Sequence, residues 1–185
     1  MKKLPAAVLL GLLALACNRN DGAKNGNGPQ PYFDLKSYFA GQISALEARS
    51  PAVRKRIEVN GKTEEKDLRD ADFAGELSIF QRYDINKPAW IDQYQIDSLF
   101  EGGQLTGIRY TAKKDDLKIR KVEVDFARDT VQEVSIFNEV RSTTMNVSQE
   151  LHYRAGKAYT IVNLQKLAFS KEKRVAISAD FTEGI

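Results

Sequence analysis

The sequence predicts an α+β domain, in which two N-terminal amphipathic helices pack on a C-terminal twisted antiparallel β-meander of about six or seven strands. Two observations predict this class. Apolar residues early in the chain recur at steps of three and four, the period of a helix, whereas from Trp90 onward they alternate with polar residues. The turns between the alternating segments are short and polar, which favours antiparallel pairing, because parallel strands need long crossover connections.

The first predicted helix begins after Asp34, whose carboxylate can cap it, and ends before Pro51. Its apolar stripe consists of Leu35, Phe39, Ile43 and Leu46. An early β-hairpin follows, with strands at 54–59 and 62–66. Asn60-Gly61 lies between them and supplies the two positive φ angles of a type I′ turn.

The second predicted helix runs from about Asp67 to Tyr83. Its apolar stripe is Phe73, Leu77 and Phe80. In the meander that follows, the alternation changes phase near Arg120-Lys121, which indicates a β-bulge. Each helix has one apolar side, and the sheet has one apolar face. These apolar surfaces are all buried if the helices lie on that face of the sheet. We therefore expect Phe39, Leu77 and Phe80 to face sheet residues such as Val124, Ile136 and Ile177.

The N-terminus has the layout of a secretory signal. Met1-Lys2-Lys3 is basic, residues 4–16 carry no charge, and Ala14-Leu15-Ala16 precedes Cys17. The apolar run is shorter than the ~20 residues that a membrane-spanning helix needs, and a proline and a glycine interrupt it. Residues 1–16 are therefore predicted to be a signal peptide.

Leu13-Ala14-Leu15-Ala16-Cys17 resembles the lipobox of bacterial lipoproteins, although Ala14 stands where leucine is commonest. The resemblance implies that a diacylglyceryl group is attached to the Cys17 thiol and that the chain is cut before it. It also implies that the new amine is acylated. The alternative is an ordinary cut after Ala16 that leaves a free thiol. Because Cys17 is the only cysteine, it has no partner for an internal disulfide, and this favours lipidation.

The predicted organisation has three parts: the signal peptide at 1–16, the lipidated Cys17 with a flexible tether at 17–31, and a single globular α+β domain at 32–185. The tether is rich in Asn, Gly and Pro, and it offers too little apolar surface to offset the entropy of ordering it. In the lipoproteins that this chain resembles, Asp after the lipidated Cys favours the inner membrane. Asn18 stands there instead, so we expect a cell-envelope protein anchored in the outer membrane.

Charge and composition exclude some classes of function. The formal net charge is only +3, and it falls further when Lys2 and Lys3 are removed with the signal. Nucleic-acid binders usually show a strong basic excess, so none is expected as a partner. His152 is the only histidine, and G-x-S-x-G and phosphate-loop motifs are lacking. We therefore predict no enzyme activity, no catalytic or metal-binding residues and no cofactor.

An aromatic concentration marks the junction between the second helix and the meander, at Tyr83, Trp90 and Tyr94. One hypothesis is that these residues contact a ligand or partner. The other, which we favour, is that Trp90 pins the corner between helix and sheet.

The overall layout resembles that of small uncharacterised lipoproteins of diderm bacteria, with the specific likeness confined to residues 1–31. A weaker resemblance links the predicted helix-covered sheet to the lipoprotein-carrier and lipocalin-like group, which holds acyl chains. Our first hypothesis is a membrane-anchored, non-enzymatic interaction or accessory module with an envelope protein partner. The alternative is a carrier or sensor of hydrophobic ligands, and a carboxylate-based hydrolase is the third. A closed core favours the module, whereas a large apolar void favours the carrier.

Overall fold

Nine antiparallel strands form one continuous sheet in the computed structural model, which describes residues 31–182. The strands are β1 (Ala52–Val59), β2 (Lys62–Leu68), β3 (Tyr94–Glu101), β4 (Gln104–Ala112), β5 (Ile119–Ala127), β6 (Thr130–Arg141), β7 (Met145–Arg154), β8 (Ala158–Leu167) and β9 (Lys173–Thr182). The helices are α1 (Leu35–Arg49) and α2 (Phe73–Arg82), with a 3₁₀ turn at Pro88–Trp90.

The strand order across the sheet is β2-β1-β9-β8-β7-β6-β5-β4-β3. Strands β3 to β9 are a simple meander in which each strand pairs with the next. The hairpin β1–β2 joins the far side, because β1 pairs with β9 from Ala52↔Thr182 to Val59↔Val175. Strands β2 and β3 are therefore the two edges of an open sheet.

The predicted α+β class is wrong. The chain adopts a mostly-β fold, with a nine-stranded antiparallel sheet and only two α-helices. The helices do not form an N-terminal layer, since α2 connects two strands of the same sheet. The predicted early hairpin is present as β1 and β2, but it belongs to the same sheet as the meander. The pairing of β1 with β9 joins residues more than a hundred positions apart, and no local pattern in the sequence indicates such a contact.

The second helix begins later than predicted. Asp67 and Leu68 belong to β2, where Asp67 lies opposite Arg54 and makes an ion pair with it at 2.9 Å. The residue that caps α2 is Asp72, whose Oδ1 accepts a hydrogen bond from the amide of Gly75 at 2.9 Å. The charged segment that ends in Asp67 and Leu68 therefore continues strand β2 and does not start the helix.

Other local predictions are confirmed. Asp34 caps α1 by accepting a hydrogen bond from the amide of Ser37 at 2.9 Å. Asn60 and Gly61 have φ angles of 49° and 85°, as a type I′ turn requires. The register of β5 against β6 shifts between Ile119 and Lys121, where the alternation changes phase.

Both helices pack on one face of the sheet, called here the inner face. The rings of Phe39 and Phe80 stack with centroids 4.9 Å apart. Each of them meets the edge of Tyr153 on β7, at 5.0 and 5.7 Å. Phe39, Leu77 and Phe80 are fully buried, as expected, together with Val124 and Ile136, whereas Ile177 is only half-buried.

The N-terminal predictions fall outside the described residues. The signal peptide at 1–16, Cys17 and the tether up to residue 30 belong to that part of the chain, as do residues 183–185. Across residues 31–182, neither helix has the length and apolar character needed to span a bilayer.

Candidate functional site

The antiparallel register aligns inner-face side chains in rows that run across the sheet. One such row lies under the helices, where Val124, Val134, Tyr153, Tyr159 and Ala179 stand opposite one another on successive strands. All five are buried. This part of the inner face is called the covered half.

A second row on the same face contains polar side chains. Asn138 on β6 stands opposite Gln149 on β7, which stands opposite Asn163 on β8. These three residues are called the amide row, and all are half-buried. Asn163 in turn faces Val175 on β9, which faces Val59 on β1.

Valines surround the amide row. Val140 and Val147 face each other one row beyond it, and both are half-buried, as is Val175. The amide row together with Val140, Val147 and Val175 is called the open shelf. Within residues 31–182, neither helix buries these positions as α1 and α2 bury the covered half.

A groove adjoins the open shelf at the β1–β2 hairpin. Its volume is about 420 Å³, and it is lined by Ile57, Val59, Asn60, Lys62 and Glu64. Val59 is 37% exposed, a high value for a valine on the inner face. The groove therefore combines two apolar side chains with a cation and an anion.

Tyr83 lies at the boundary between the two halves. It follows the last residue of α2, and its hydroxyl donates a hydrogen bond to Oε1 of Gln149 in the amide row. Burial raises the pKa of Tyr83 above the ordinary value, so the hydroxyl stays protonated and remains a donor at neutral pH. The end of α2 is thereby tied to the middle of the open shelf.

Trp90 and Tyr94 lie where the chain enters β3. The hydroxyl of Tyr32 donates to the carbonyl of Trp90 at 3.0 Å, and the hydroxyl of Tyr94 donates to the carbonyl of Ile119 at 3.0 Å. Lys87 places its ammonium 4.0 Å from the centroid of the Trp90 ring. The hydroxyls of Tyr83 and Tyr94 thus have different hydrogen-bond partners, and a ligand contact by any of the three aromatic residues stays a prediction.

The covered half contains one ion pair with little exposure to solvent. Nζ of Lys55 lies 2.7 and 2.8 Å from the two carboxylate oxygens of Glu76 on α2, and the two side chains are 24% and 15% exposed. The hydroxyl of Tyr159 donates to the same carboxylate. Burial, and then this hydrogen bond, raise the pKa of Tyr159 far above its usual range. These three groups hold α2 to the sheet.

His152 lies on the opposite, outer face of the sheet. Its Nδ1 is 2.9 Å from Oγ of Ser135 and 3.2 Å from Oε1 of Glu133. In a nucleophilic triad the serine and the acid bind different ring nitrogens, because the base must take a proton at one while the acid orients it at the other. Both contacts here involve Nδ1, so the cluster is not arranged as a triad.

A charged network borders this cluster. Glu123 accepts a hydrogen bond from Arg109 on β4 and makes an ion pair with Lys121 at 2.8 Å. Burial acts to raise the pKa of Glu123, but the hydrogen bonds from Lys121 and Arg109 outweigh it and lower the pKa. The pKa of Asp125 is raised, by burial and then by the nearby carboxylates of Glu123 and Glu133. Salt-bridged carboxylates of this kind are a common surface arrangement.

Glu64 and Glu65 are adjacent acids in the sequence, but their side chains lie on opposite faces of the sheet. Glu64 stands opposite Ile57 on the inner face, whereas Glu65 stands opposite Arg56 on the outer face. In the part of the chain that the structure describes, no group of three or more His, Cys, Asp or Glu side chains could hold a metal ion.

Sequence reasoning missed the amide row. Asn138, Gln149 and Asn163 occupy the phase of β6, β7 and β8 in which Val134, Leu151 and Ile161 are apolar. The sequence did contain a signal, because three consecutive strands each carry an amide side chain at a position where the alternation predicts an apolar, inward-facing residue. It becomes interpretable only once the strand register shows that the three residues are neighbours.

Comparison with known proteins adds little. No protein-family model matches the chain, and no curated protein matches it. Among solved structures, the chain has a likeness to the S-type phycobiliprotein lyase CPES from Guillardia theta. The identity is 9%, the TM-score is 0.25, and the alignment covers 84% of this chain and 99% of the lyase. A TM-score of this size does not establish a shared fold, so no property of the lyase is transferred to this chain.

Proposed function

We propose that this chain is a non-enzymatic binding module, anchored by lipid in the bacterial outer membrane, which contacts a protein partner through the open shelf. The observation that supports it is the amide row, which stands at inner-face positions outside the helix cover. A row of three amides among valines offers donors and acceptors beside apolar surface. Non-obligate protein interfaces have this mixed character.

The hydrogen bonding of the amide row favours a partner over a purely structural role. Gln149 is bound by Tyr83, but within residues 31–182 the side chains of Asn138 and Asn163 have no protein hydrogen-bond partner. A half-buried amide can keep water as its partner in the free protein. When a partner covers the shelf, it must replace that water with its own polar groups, because leaving amides without hydrogen bonds is costly.

The packing of the covered half favours the module over a carrier. Phe39, Phe80 and Tyr153 fill the space between the helices and the sheet, and each is fully buried. A carrier of acyl chains would need an apolar void under such a cover. The open shelf presents polar groups in its centre instead, which suits a peptide or protein surface better than a hydrocarbon chain.

The lipid anchor is tested separately from the shelf. The full-length chain and its Cys17→Ser variant are grown with a clickable fatty acid, and each is examined for label and for removal of residues 1–16. We expect the label and the shortened chain only when Cys17 is present. Labelled lipid on the serine variant would contradict lipidation at Cys17.

The open shelf is tested by photo-crosslinking in living cells. A photoreactive phenylalanine replaces Asn163 on the inner face of β8. As the control it replaces Thr160, which is also half-buried but lies on the outer face of the same strand. We expect a discrete cross-linked band from position 163 that is weak or missing at position 160. Equal cross-linking at both positions, or none at either, would contradict a partner on the open shelf.

The carrier remains a second candidate because of the groove at the β1–β2 hairpin, whose volume of about 420 Å³ could take part of an acyl chain. It predicts saturable binding of a fluorescent fatty acid that Val59→Lys weakens about tenfold. Val162→Lys, on the outer face of β8, is the matched control. Tight probe binding that only Val59→Lys removes would favour the carrier over the protein-binding module.

A further inference from the structure

The two edge strands of the sheet have opposite character. The edge strand β2 has the sequence KTEEKDL, in which five of the seven residues are charged. Charged side chains on an edge prevent other strands from adding to it. The edge strand β3, with the sequence YQIDSLFE, has two acids and no base.

Apolar side chains on β3 are exposed to solvent. Phe100 is 65% exposed and Ile96 is 49% exposed, and both point to the inner face with Ser98 between them. Leu99 is exposed on the outer face. An open edge that presents free backbone groups and apolar side chains is a template for another strand.

We propose that β3 is a self-association edge, through which two copies of this chain pair antiparallel about a two-fold axis at Ser98. A two-fold axis perpendicular to the sheet keeps the inner faces of the two copies on the same side. Residues that stand opposite each other must then point to the same face, so the axis passes beside one residue of β3, which stands opposite its own copy. The axes at Asp97 and at Ser98 give the longest pairing, because each leaves only one residue of either β3 strand without an opposite residue. The charges decide between these two registers.

An axis at Asp97 places that carboxylate directly opposite the same carboxylate of the second copy, and like charges in this position destabilise the pairing. An axis at Ser98 removes the conflict. Asp97 then faces Leu99 of the second copy, and Glu101 faces Gln95, so no charge meets a like charge. On the inner face, Ile96 stands opposite Phe100 of the second copy, and the symmetry produces this apolar pair twice.

The same reasoning excludes β2 as the self-pairing edge. An axis at the central residue of β2 places Glu65 opposite Glu65 of the second copy. Axes at Glu64 or Lys66 likewise place each of these charged residues opposite its own copy. The molecule therefore has one edge suited to a closed two-fold dimer and one edge that resists addition. That combination gives a dimer rather than an open-ended fibre.

Cysteine cross-linking of the full-length chain in cells tests the register. Ser98→Cys places two thiols on neighbouring strands at the axis, where Cβ atoms lie about 4.5–5.5 Å apart, close to disulfide geometry. Gln95→Cys is the control, because the two copies of residue 95 would lie roughly 20 Å apart. The wild type, with Cys17 alone, reports any cross-link through that residue. All chains are treated with a mild oxidant and separated without reductant.

We expect at least tenfold more disulfide dimer from Ser98→Cys than from Gln95→Cys or the wild type. Adding Phe100→Lys to Ser98→Cys should abolish the dimer, because it places a charge opposite Ile96. Coexpressed Gln95→Cys and Glu101→Cys chains should cross-link to each other, which tests the register without altering Ser98. Equal dimer from Ser98→Cys and Gln95→Cys, a dimer that survives Phe100→Lys, or a cross-link only to a different protein would overturn the proposal.

Discussion

The covered half and the open shelf share the strands β6, β7 and β8 and lie on the same face, yet their side chains differ in kind. In the covered half these strands present Val134, Tyr153 and Tyr159, all buried. In the open shelf they present the three half-buried amides. Strand alternation determines which face a side chain occupies, whereas the helices determine which part of that face becomes core. We infer that the first half provides stability and the second provides binding.

The largest expected effect of a substitution is in the covered half. Phe80→Ala removes a ring that contacts Phe39, Tyr153 and Tyr159, and the resulting cavity should lower the free energy of unfolding by about 3–5 kcal/mol. Val147→Ala is the matched truncation on the open shelf and should cost less than about 1 kcal/mol. Urea denaturation followed by tryptophan fluorescence measures both. Equal losses would show that the helix cover does not distinguish the two halves.

Alkaline pH should weaken the covered half next. Burial raises the pKa of Tyr153 to about 12, so between pH ~10 and ~12 the unfolded chain ionises while the folded one does not. The stabilisation that the buried hydroxyl of Tyr153 contributes is fully present below pH ~10. As the pH rises from there towards 12, the free energy of unfolding falls by about 1.4 kcal/mol per pH unit. Thermal melts from pH 9 to 11.5 should show this decline, with a shallower slope for Tyr153→Phe. Unchanged melting across that range would contradict the burial of ionisable tyrosines under the helices.

The ion pair under α2 gives an intermediate effect. Glu76→Gln leaves the largely buried ammonium of Lys55 without its carboxylate, and we expect a loss of about 2 kcal/mol. Asp67→Asn removes an exposed ion pair with Arg54 and serves as the control, with no measurable change expected. Denaturant titrations at low and moderate salt compare them. A loss at Asp67 as large as that at Glu76 would mean that burial does not determine the strength of these pairs.

The smallest effect is expected on the outer face. His152 is nearly half exposed, and its contacts with Ser135 and Glu133 are solvated. His152→Gln should therefore change the free energy of unfolding by no more than about 0.5 kcal/mol. A change of several kcal/mol in the same denaturation assay would assign the outer-face cluster a structural role.

Local features of the fold could be predicted from sequence, but their assembly could not. The Asp34 cap, the Asn60-Gly61 turn and the bulge before Lys121 follow from short-range stereochemistry, which the local sequence encodes directly. The pairing of β1 with β9 depends on a contact between distant segments, and missing it led to the wrong fold class. The amide row was missed for the same reason, because Asn138, Gln149 and Asn163 are neighbours only across strands.

The proposed division of the inner face is tested most directly by the thiol reactivity of Asn163→Cys, measured on the purified chain and in intact cell envelopes. Thr160→Cys is the outer-face control, and the wild type reports Cys17. We expect Asn163→Cys to react readily when purified, because the helices leave it open. In envelopes it should be protected at least tenfold if the proposed partner covers the open shelf. Thr160→Cys should react equally in both preparations. Slow reaction of purified Asn163→Cys, or equal reactivity of Asn163→Cys in the two preparations, would contradict an open shelf that binds a partner.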